Sequence, residues 1–507
     1  MKYNILDYFH KTINNSADKI AVIEGDKKIT FSELNARSKV LANIFIHELN
    51  ILNKPIAVYL PKSIESVIAD IAITKSANAY MNLDIKSPLE RIKNIVDLIS
   101  PSIVITNTLN INTLKEIAGS SVLINIDEID YNQTCNESII EKRLEIIIDT
   151  DPLCIINTSG STGTPKGVVL NHRSFIEFTE WSLKTFNFSD TEIIGSLSPL
   201  VFDIYSFELC LLMSRGSTLV LIPDSLSPFP IKILNILEEQ KVTFIFWVPT
   251  IMVNISNMDL LSSVDLSSLK LVWFAGEVFP TKQFNYWKKN LRNTTFVNLY
   301  GPIEITLDCT YFIVNRELKD DEPLPIGIPC RNTDILILND ENKLVGKGEE
   351  GELCVRGTSL AMGYYNNPKK TSEVFVQNPL NCSYPELIYR TGDMVILNDN
   401  NEILFKGRKD SLIKHLGYRI ELGEIEHTVV NKLKLAKNVC VVYQNEKKEI
   451  TMYYESDVEI PKSEFRKSIG TSLPKYMIPT TYIRLDLLPR NTNGKIDRLY
   501  LKEKTNS

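Results

Sequence analysis

The chain has 507 residues, 44% hydrophobic and 23% charged, with a formal net charge of −6. That composition suits a globular protein of more than one domain, and the acidic balance gives no electrostatic ground for a nucleic-acid or anionic-membrane partner. No apolar run reaches the ~18 residues that cross a bilayer, the N-terminus lacks a signal-peptide core, and the eight cysteines form no C-x-x-C pair. Reduced thiols and a cytoplasmic location are therefore expected. The five histidines are dispersed without metal-binding spacing.

Along residues 1–150, short β-branched runs alternate with helical patterns. Thr30 or Ser32 is a candidate N-cap for a helix following Ile29. Ile56–Leu60 reads as a strand, Ser63–Ser76 as an amphipathic helix, and Ile103–Thr106 and Val122–Ile124 as further strands. Such alternation predicts an α/β fold with a parallel sheet. Leu153–Ile156 is another buried strand, and it runs into Thr158-Ser159-Gly160-Ser161-Thr162-Gly163-Thr164-Pro165-Lys166-Gly167. Three glycines free that backbone to approach a ligand, while five hydroxyls and Lys166 supply donors and one positive charge. A loop so built can cradle an anion, most naturally a triphosphate; its alternative is a plain surface loop. It is not a Walker A loop, because Val168 follows Gly167.

A helix is expected over Ser174–Lys184, and a second from about Ile204 to Met213 with Asp203 at its start. Taken alone, an aspartate there reads as an N-cap. Val242–Val248 and Leu269–Phe274 read as strands buried on both faces. Thr295–Leu299 leads into Tyr300-Gly301-Pro302-Ile303-Glu304. Tyr389-Arg390-Thr391-Gly392-Asp393 and Gly407-Arg408-Lys409-Asp410 follow. Then come a helix over Glu421–Lys432, strands over Val439–Tyr443 and Glu449–Tyr454, and a helix over Lys462–Leu473. The chain closes on Asn493-Gly494-Lys495-Ile496-Asp497-Arg498, whose Asn-Gly step predicts a tight turn carrying Lys495 at its tip.

Taken together, these strings resemble, in order and over Thr30 to Arg498, the motifs of the adenylate-forming superfamily. That superfamily comprises acyl-CoA synthetases, luciferases and the adenylation domains of nonribosomal peptide synthetases. The resemblance implies a large N-terminal α/β domain with a β-subdomain over 1–409 and a small mobile α+β domain over 410–507, hinged near Asp410. It implies ATP and Mg²⁺. Thr158, Ser159, Gly160, Ser161, Thr162, Gly163 and Lys166 would meet the phosphates, with Asn298, Tyr300, Gly301, Asp393 and Arg408 on the nucleoside. Glu304 would hold the magnesium, and Lys495, Lys166 and Glu304 would carry catalysis. Ile303 departs from the family threonine, and Thr306 lies one turn on.

Asp203 falls where amino-acid-activating members keep an aspartate for the α-ammonium. The remaining pocket positions map to Ile204, Phe207, Phe246, Trp273, Ala275, Gly276, Leu299, Leu307, Asp308 and Lys495. That lining is apolar and bulky, so a compact uncharged side chain is expected, since a charged one would be costly to desolvate. Similarity to stand-alone prolyl-carrier ligases makes L-proline the expected substrate, with D-alanine as alternative and an acyl-CoA synthetase a more distant one. No carrier domain follows Arg498, so the phosphopantetheine thiol that takes the aminoacyl group is expected on a separate carrier protein.

Overall fold

The computed structural model describes residues 3–159, 165–409, 412–444, 447–456, 458–490 and 496–506. Gly160, Ser161, Thr162, Gly163, Asp410 and Lys495 lie outside the described residues. The chain divides into two compact units. The first comprises Met1–Leu83, Ser100–Ile156 and Val168–Lys409; the second comprises Asp84–Ile99, Asn157–Gly167 and Asp410–Ser507.

Mixed α/β architecture is present, as the alternation predicts. Among the described residues the largest sheet has nine strands, in the order Ile328–Pro329, Thr310–Ile313, Thr295–Tyr300, Leu271–Phe274, Phe244–Trp247, Ile193–Ser196, Thr218–Leu221, Ile20–Glu24 and Lys27–Thr30. Its interior pairs, from Thr295–Tyr300 to Ile20–Glu24, are all parallel, and antiparallel strands flank them on both sides. Phe244–Trp247 is buried at every position, the signature of a strand covered on both faces. A seven-stranded sheet is built around Pro55–Val58, which pairs in parallel with Ala79–Asn82 and Ile103–Thr106. The β-subdomain centres on the long strand Leu387–Leu397, which pairs antiparallel with Glu350–Gly357, Phe375–Gln377 and Ile403–Arg408. In the second unit, Asn438–Gln444, Glu449–Glu455 and Thr481–Leu485 form a three-stranded sheet. Its core includes Ile425, Val429, Phe465 and Met477.

Local chemistry explains most element boundaries. Thr30 caps Phe31–Leu49 in a reciprocal capping box with Glu33. Asn171 caps His172–Phe186 by accepting from Ser174 N at 2.9 Å. Gly216 ends Asp203–Arg215 in the left-handed region at φ 66°.

Two expectations are corrected. The helix Ile64–Lys75 is not amphipathic: every residue but Glu65 is buried. Its polar positions are internal, with Lys75 Nζ donating to Asn35 Oδ1 (2.5 Å) and Ser38 Oγ (2.9 Å). The helix expected over Glu421–Lys432 is α-helical only over Leu422–His427 and continues as a π turn over Thr428–Lys432.

Asp70, on the buried helix, is the most consequential of those polar groups. One carboxyl oxygen accepts from Asn82 Nδ2 at 3.1 Å, and the other has no hydrogen-bond partner among the described residues. Burial pushes this carboxyl from 3.8 up to about 7. Because the folded state holds the proton more tightly than the unfolded chain, Asp70 makes stability fall as pH rises from about 4 to about 7. Asp70→Asn is expected to remove that decline, so the stability lost between pH 5 and pH 8 shrinks by up to about 3 kcal/mol, the span from pH 5 to the raised value near 7, and the two thermal midpoints draw together. Parallel melting curves for both proteins at the two pH values check it.

Candidate active site

Three groups of predicted residues follow the carboxyl ends of parallel strands in the nine-stranded sheet. Asp203 follows Ile193–Ser196, Ala275 and Gly276 follow Leu271–Phe274, and Gly301 to Asp308 follow Thr295–Tyr300. Ligands in α/β sheets lie beyond such ends.

Asp203 is the first residue of the helix Asp203–Arg215, but it is not the N-cap; Phe202 is, and Phe202 makes no side-chain cap bond. The Asp203 carboxylate instead accepts from Leu307 N at 3.1 Å, across 104 residues of chain. The turn that supplies this N–H is unusual. Thr306 and Leu307 both have positive φ, at 53° and 64°. For a β-branched residue such as Thr306 that conformation is strained. Gly301 faces the same turn. A Cβ on it would lie 2.2 Å from Leu307 O and 2.5 Å from Asp308 Cα, so only glycine fits there.

A second cluster joins the sheet to the β-subdomain. The Tyr300 hydroxyl donates to Asp393 Oδ2, and Arg408 Nη1 donates to Asp393 Oδ1 at 2.5 Å. Asp393 and Arg408 are register partners on adjacent strands, which fixes their approach. Asp393 is 2% exposed. Burial first, and the Asp393 charge second, push the Tyr300 phenol well above its ordinary range, so it remains a neutral donor. Asn298, buried on the strand Thr295–Tyr300, donates from its Nδ2 to Pro325 O at 2.7 Å.

Glu304 is buried, and its Oε1 accepts from the Tyr364 hydroxyl at 2.7 Å. Ile303 is half-buried beside it. Thr306 Oγ1 is sealed from solvent and has no hydrogen-bond partner among the described residues.

Of the residues mapped to a side-chain pocket, Phe207, Phe246 and Trp273 are brought together, and Lys495 lies outside the described residues. Phe207, Phe246 and Trp273 are each fully buried, with Ala275, Leu299, Leu307 and Asp308 nearly so and Ile204 close behind. Phe207 stacks on Trp273 at 5.3 Å and 8°, and Phe246 meets the same indole edge-on at 5.5 Å. These three belong to a larger aromatic group that sequence reasoning did not assemble. Phe178, Trp181, Phe186, Phe188 and Phe244 also lie around Trp273. The i, i+3 spacing of Phe178 and Trp181 on one helix is the signal that marks them.

In the second unit, Ser159 and Lys166 flank the undescribed part of the loop. Ser159 Oγ donates to Arg419 O at 2.6 Å and accepts from Glu421 N at 3.0 Å. Lys166 Nζ lies 3.3 Å from Glu421 Oε1. Thr158 ends the strand Pro152–Thr158 and is half-buried.

Among the described residues no three His, Cys, Asp or Glu side chains gather as a metal cage, and no helix is long and apolar enough to cross a membrane.

A family model described as AMP-binding enzyme matches residues 9–365. Tyrocidine synthase 1 of Brevibacillus parabrevis is 30% identical over 504 residues, covering 99% of this chain and 45% of that protein. Zwittermicin A synthase ZmaJ of Bacillus cereus is 29% identical over 501 residues, covering 97% and 93%. The chain thus spans about half the length of the first of these relatives and nearly all of the second. Among solved structures, the Vibrio cholerae adenylation domain AlmE, in complex with glycyl-adenosine-5'-phosphate, aligns with a TM-score of 0.85 at 20% identity, covering 100% of this chain and 98% of that one. At that identity the likeness speaks for the fold alone. With the family model covering most of its length, and a synthetase 30% identical along nearly all of it, the chain belongs to the AMP-binding, adenylate-forming enzymes.

Proposed function

We propose that this enzyme activates an amino acid with ATP as aminoacyl-AMP and passes it to the phosphopantetheine thiol of a separate carrier protein. L-Proline is the proposed substrate. The observation that carries the reading is the Asp203 carboxylate, held by Leu307 N–H beyond the carboxyl ends of the parallel strands. A carboxylate fixed there suits a substrate ammonium, which an acid without an amine does not offer. Fully buried Phe207, Phe246 and Trp273 favour a compact apolar side chain. Relatives named tyrocidine synthase 1 and gramicidin S synthase 1, and a solved neighbour described as an NRPS protein containing adenylation and PCP domains, support a carrier as acceptor.

The substrate carboxylate attacks the α-phosphorus of ATP and pyrophosphate leaves. The thiol then attacks the acyl carbon and AMP leaves. No general base is needed in the first step, since the carboxylate is ionised at neutral pH. Charge repels at attack and accumulates at the phosphates, so fixed cations lower the barrier. Lys166 and Lys495 are assigned that role. Tyr300, Asp393 and Arg408 are assigned the nucleoside, with Asp393 presenting a fixed carboxylate to ribose hydroxyls. Gly301 admits the close backbone approach. Mg²⁺ is commonly held by one or two carboxylates plus substrate phosphates. Glu304, a single buried carboxylate steadied by Tyr364, fits that pattern. When bound, the ion screens phosphate charge. We assign residues 410–507 to a domain that turns about Asp410 between the two half-reactions, a recognised route to serial states.

Amino-acid-dependent ATP–pyrophosphate exchange across the twenty amino acids tests the reading. Exchange with proline is expected, and inactivity with both proline and alanine rejects the substrate assignment. Asp203→Ala should raise the amino-acid KM by about 100-fold while the ATP KM changes by less than about 3-fold. Lys495→Ala should abolish exchange, yet leave transfer from pre-made aminoacyl-AMP to a carrier thiol largely intact. Equal loss of both half-reactions contradicts the role given to Lys495.

A further inference from the structure

Asp203 stands at the end of the segment Ser196–Phe202, and two buried ionisable residues grip the start of that segment. Lys62 follows the strand Pro55–Val58 of the seven-stranded sheet, and its side chain is 3% exposed. Its ammonium donates to Ser196 O at 3.1 Å and Ser198 O at 3.2 Å, and lies 3.3 Å from Asp224 Oδ1. The second is Glu208, fully buried on the same helix as Asp203. Ser196 Oγ donates to Glu208 Oε2 at 2.5 Å. Ser196 is therefore held twice, by its carbonyl and by its hydroxyl. Glu208 Oε1 has no hydrogen-bond partner among the described residues.

Neither residue belongs to the sites described above. Their arrangement is also poor as a stability device. Burial pushes the Glu208 carboxyl up to about 8, against the pull of the Ser196 hydroxyl and the Lys62 charge. Buried ionisable groups replaced by apolar groups of like volume commonly leave a protein no less stable, so stability alone does not account for keeping these two here. What the pair does fix is geometry. Lys62 ties the end of a strand in one sheet to the Ser196 and Ser198 carbonyls beyond a strand in the other. Glu208 ties the same serine to the helix that begins at Asp203.

We propose that Lys62 and Glu208 are positioning residues for amino-acid binding: by fixing Ser196 and Ser198 they hold the 196–202 segment, and with it the Asp203 carboxylate, where the substrate ammonium docks. The proposal rests on the adenylation reading and goes beyond it by naming residues that never touch substrate.

Pyrophosphate exchange and thermal melting are measured on Lys62→Met, Glu208→Gln, Ser196→Ala, Lys62→Arg and the double variant Lys62→Met/Glu208→Leu. Displacing a binding group by a fraction of an ångström to one ångström costs up to about 100-fold, so Lys62→Met should raise the amino-acid KM by about 10-fold or more, while Glu208→Gln, which keeps an oxygen for the Ser196 hydroxyl, should raise it less. The ATP KM should move by less than about 2-fold, since uniform damage would shift both. Lys62→Arg should restore most of the loss. The double variant should melt close to wild type and still show the raised amino-acid KM, which a merely structural role would not produce. Ser196→Ala removes only a hydroxyl, so it keeps the test open should the charge variants fail to fold, and it should raise the amino-acid KM several-fold. An unchanged amino-acid KM in folded Ser196→Ala or in the double variant overturns the proposal, as does a parallel rise in the ATP KM. A wild-type enzyme without exchange on any amino acid strikes down the adenylation reading, and this proposal with it.

Discussion

One hydrogen bond, from Leu307 N to the Asp203 carboxylate, ties together two parts of the sheet that the chain order separates. It depends on a backbone that the local sequence disfavours. Thr306 and Leu307 sit at positive φ, where residues of their type pay a strain of roughly 1–3 kcal/mol each. Such strain persists only when surroundings over-determine it. Gly301 supplies part of that determination, because its missing Cβ is the space that Leu307 O and Asp308 Cα fill. Thus the sequence Tyr300-Gly301-Pro302 shapes a turn several residues downstream, and that turn in turn orients a carboxylate on a helix from elsewhere.

The rest of the first unit has a consistent division of labour. Rigid elements meet at polar points, and each point carries a charge with a fixed direction. Tyr300 and Arg408 approach Asp393 from two strands, so both carboxyl oxygens are engaged before any ligand arrives. Tyr364 does the same for one oxygen of Glu304. Preorganisation of this kind removes reorganisation from the reacting step, which is where electrostatic catalysis gains most. The aromatic group around Trp273 has a different task. Stacked and edge-on rings leave little room to relax, so the floor beneath Phe207 and Phe246 is stiff and its shape is set by packing.

Much of this could be read from sequence for physical reasons that differ by residue. The Tyr300-Gly301-Pro302 string was legible because a glycine at a strand end has few structural uses, and Gly301 illustrates one of them directly. The Thr30 cap was legible as one of two candidates, beside Ser32, because capping is local chemistry, and the structure adds the reciprocal Glu33. The helix Ile64–Lys75 was misread because Ser66, Asp70 and Thr74 recur at helical spacing and mimic a solvent face. Nothing local says that Asn82 waits for Asp70, or that Asn35 and Ser38 wait for Lys75. Asp203 was misread in its plain form for a related reason. An aspartate opening a helix looks like a cap, yet its partner is a backbone N–H 104 residues away. Periodicity reports which face of a helix differs from the others; it does not report whether that face meets water or a buried partner.

That distinction bears on why this fold keeps so many polar groups inside. The helix Asp203–Arg215 is buried from Ile204 to Met213, yet it carries Tyr205, Ser206 and Glu208 within that stretch. An apolar helix in the same slot would bury as much surface at lower desolvation cost, but it could slide or rotate, because dispersion contacts are only weakly directional. Hydrogen bonds to a single serine or a single backbone N–H are directional and leave one register. On the role proposed for Asp203, a helix that begins with that carboxylate gains more from register than from added stability. On that view, the buried polar residues of this helix are the counterpart of the strained turn facing its N-terminus: both sacrifice stability at one place to hold Asp203 in one position.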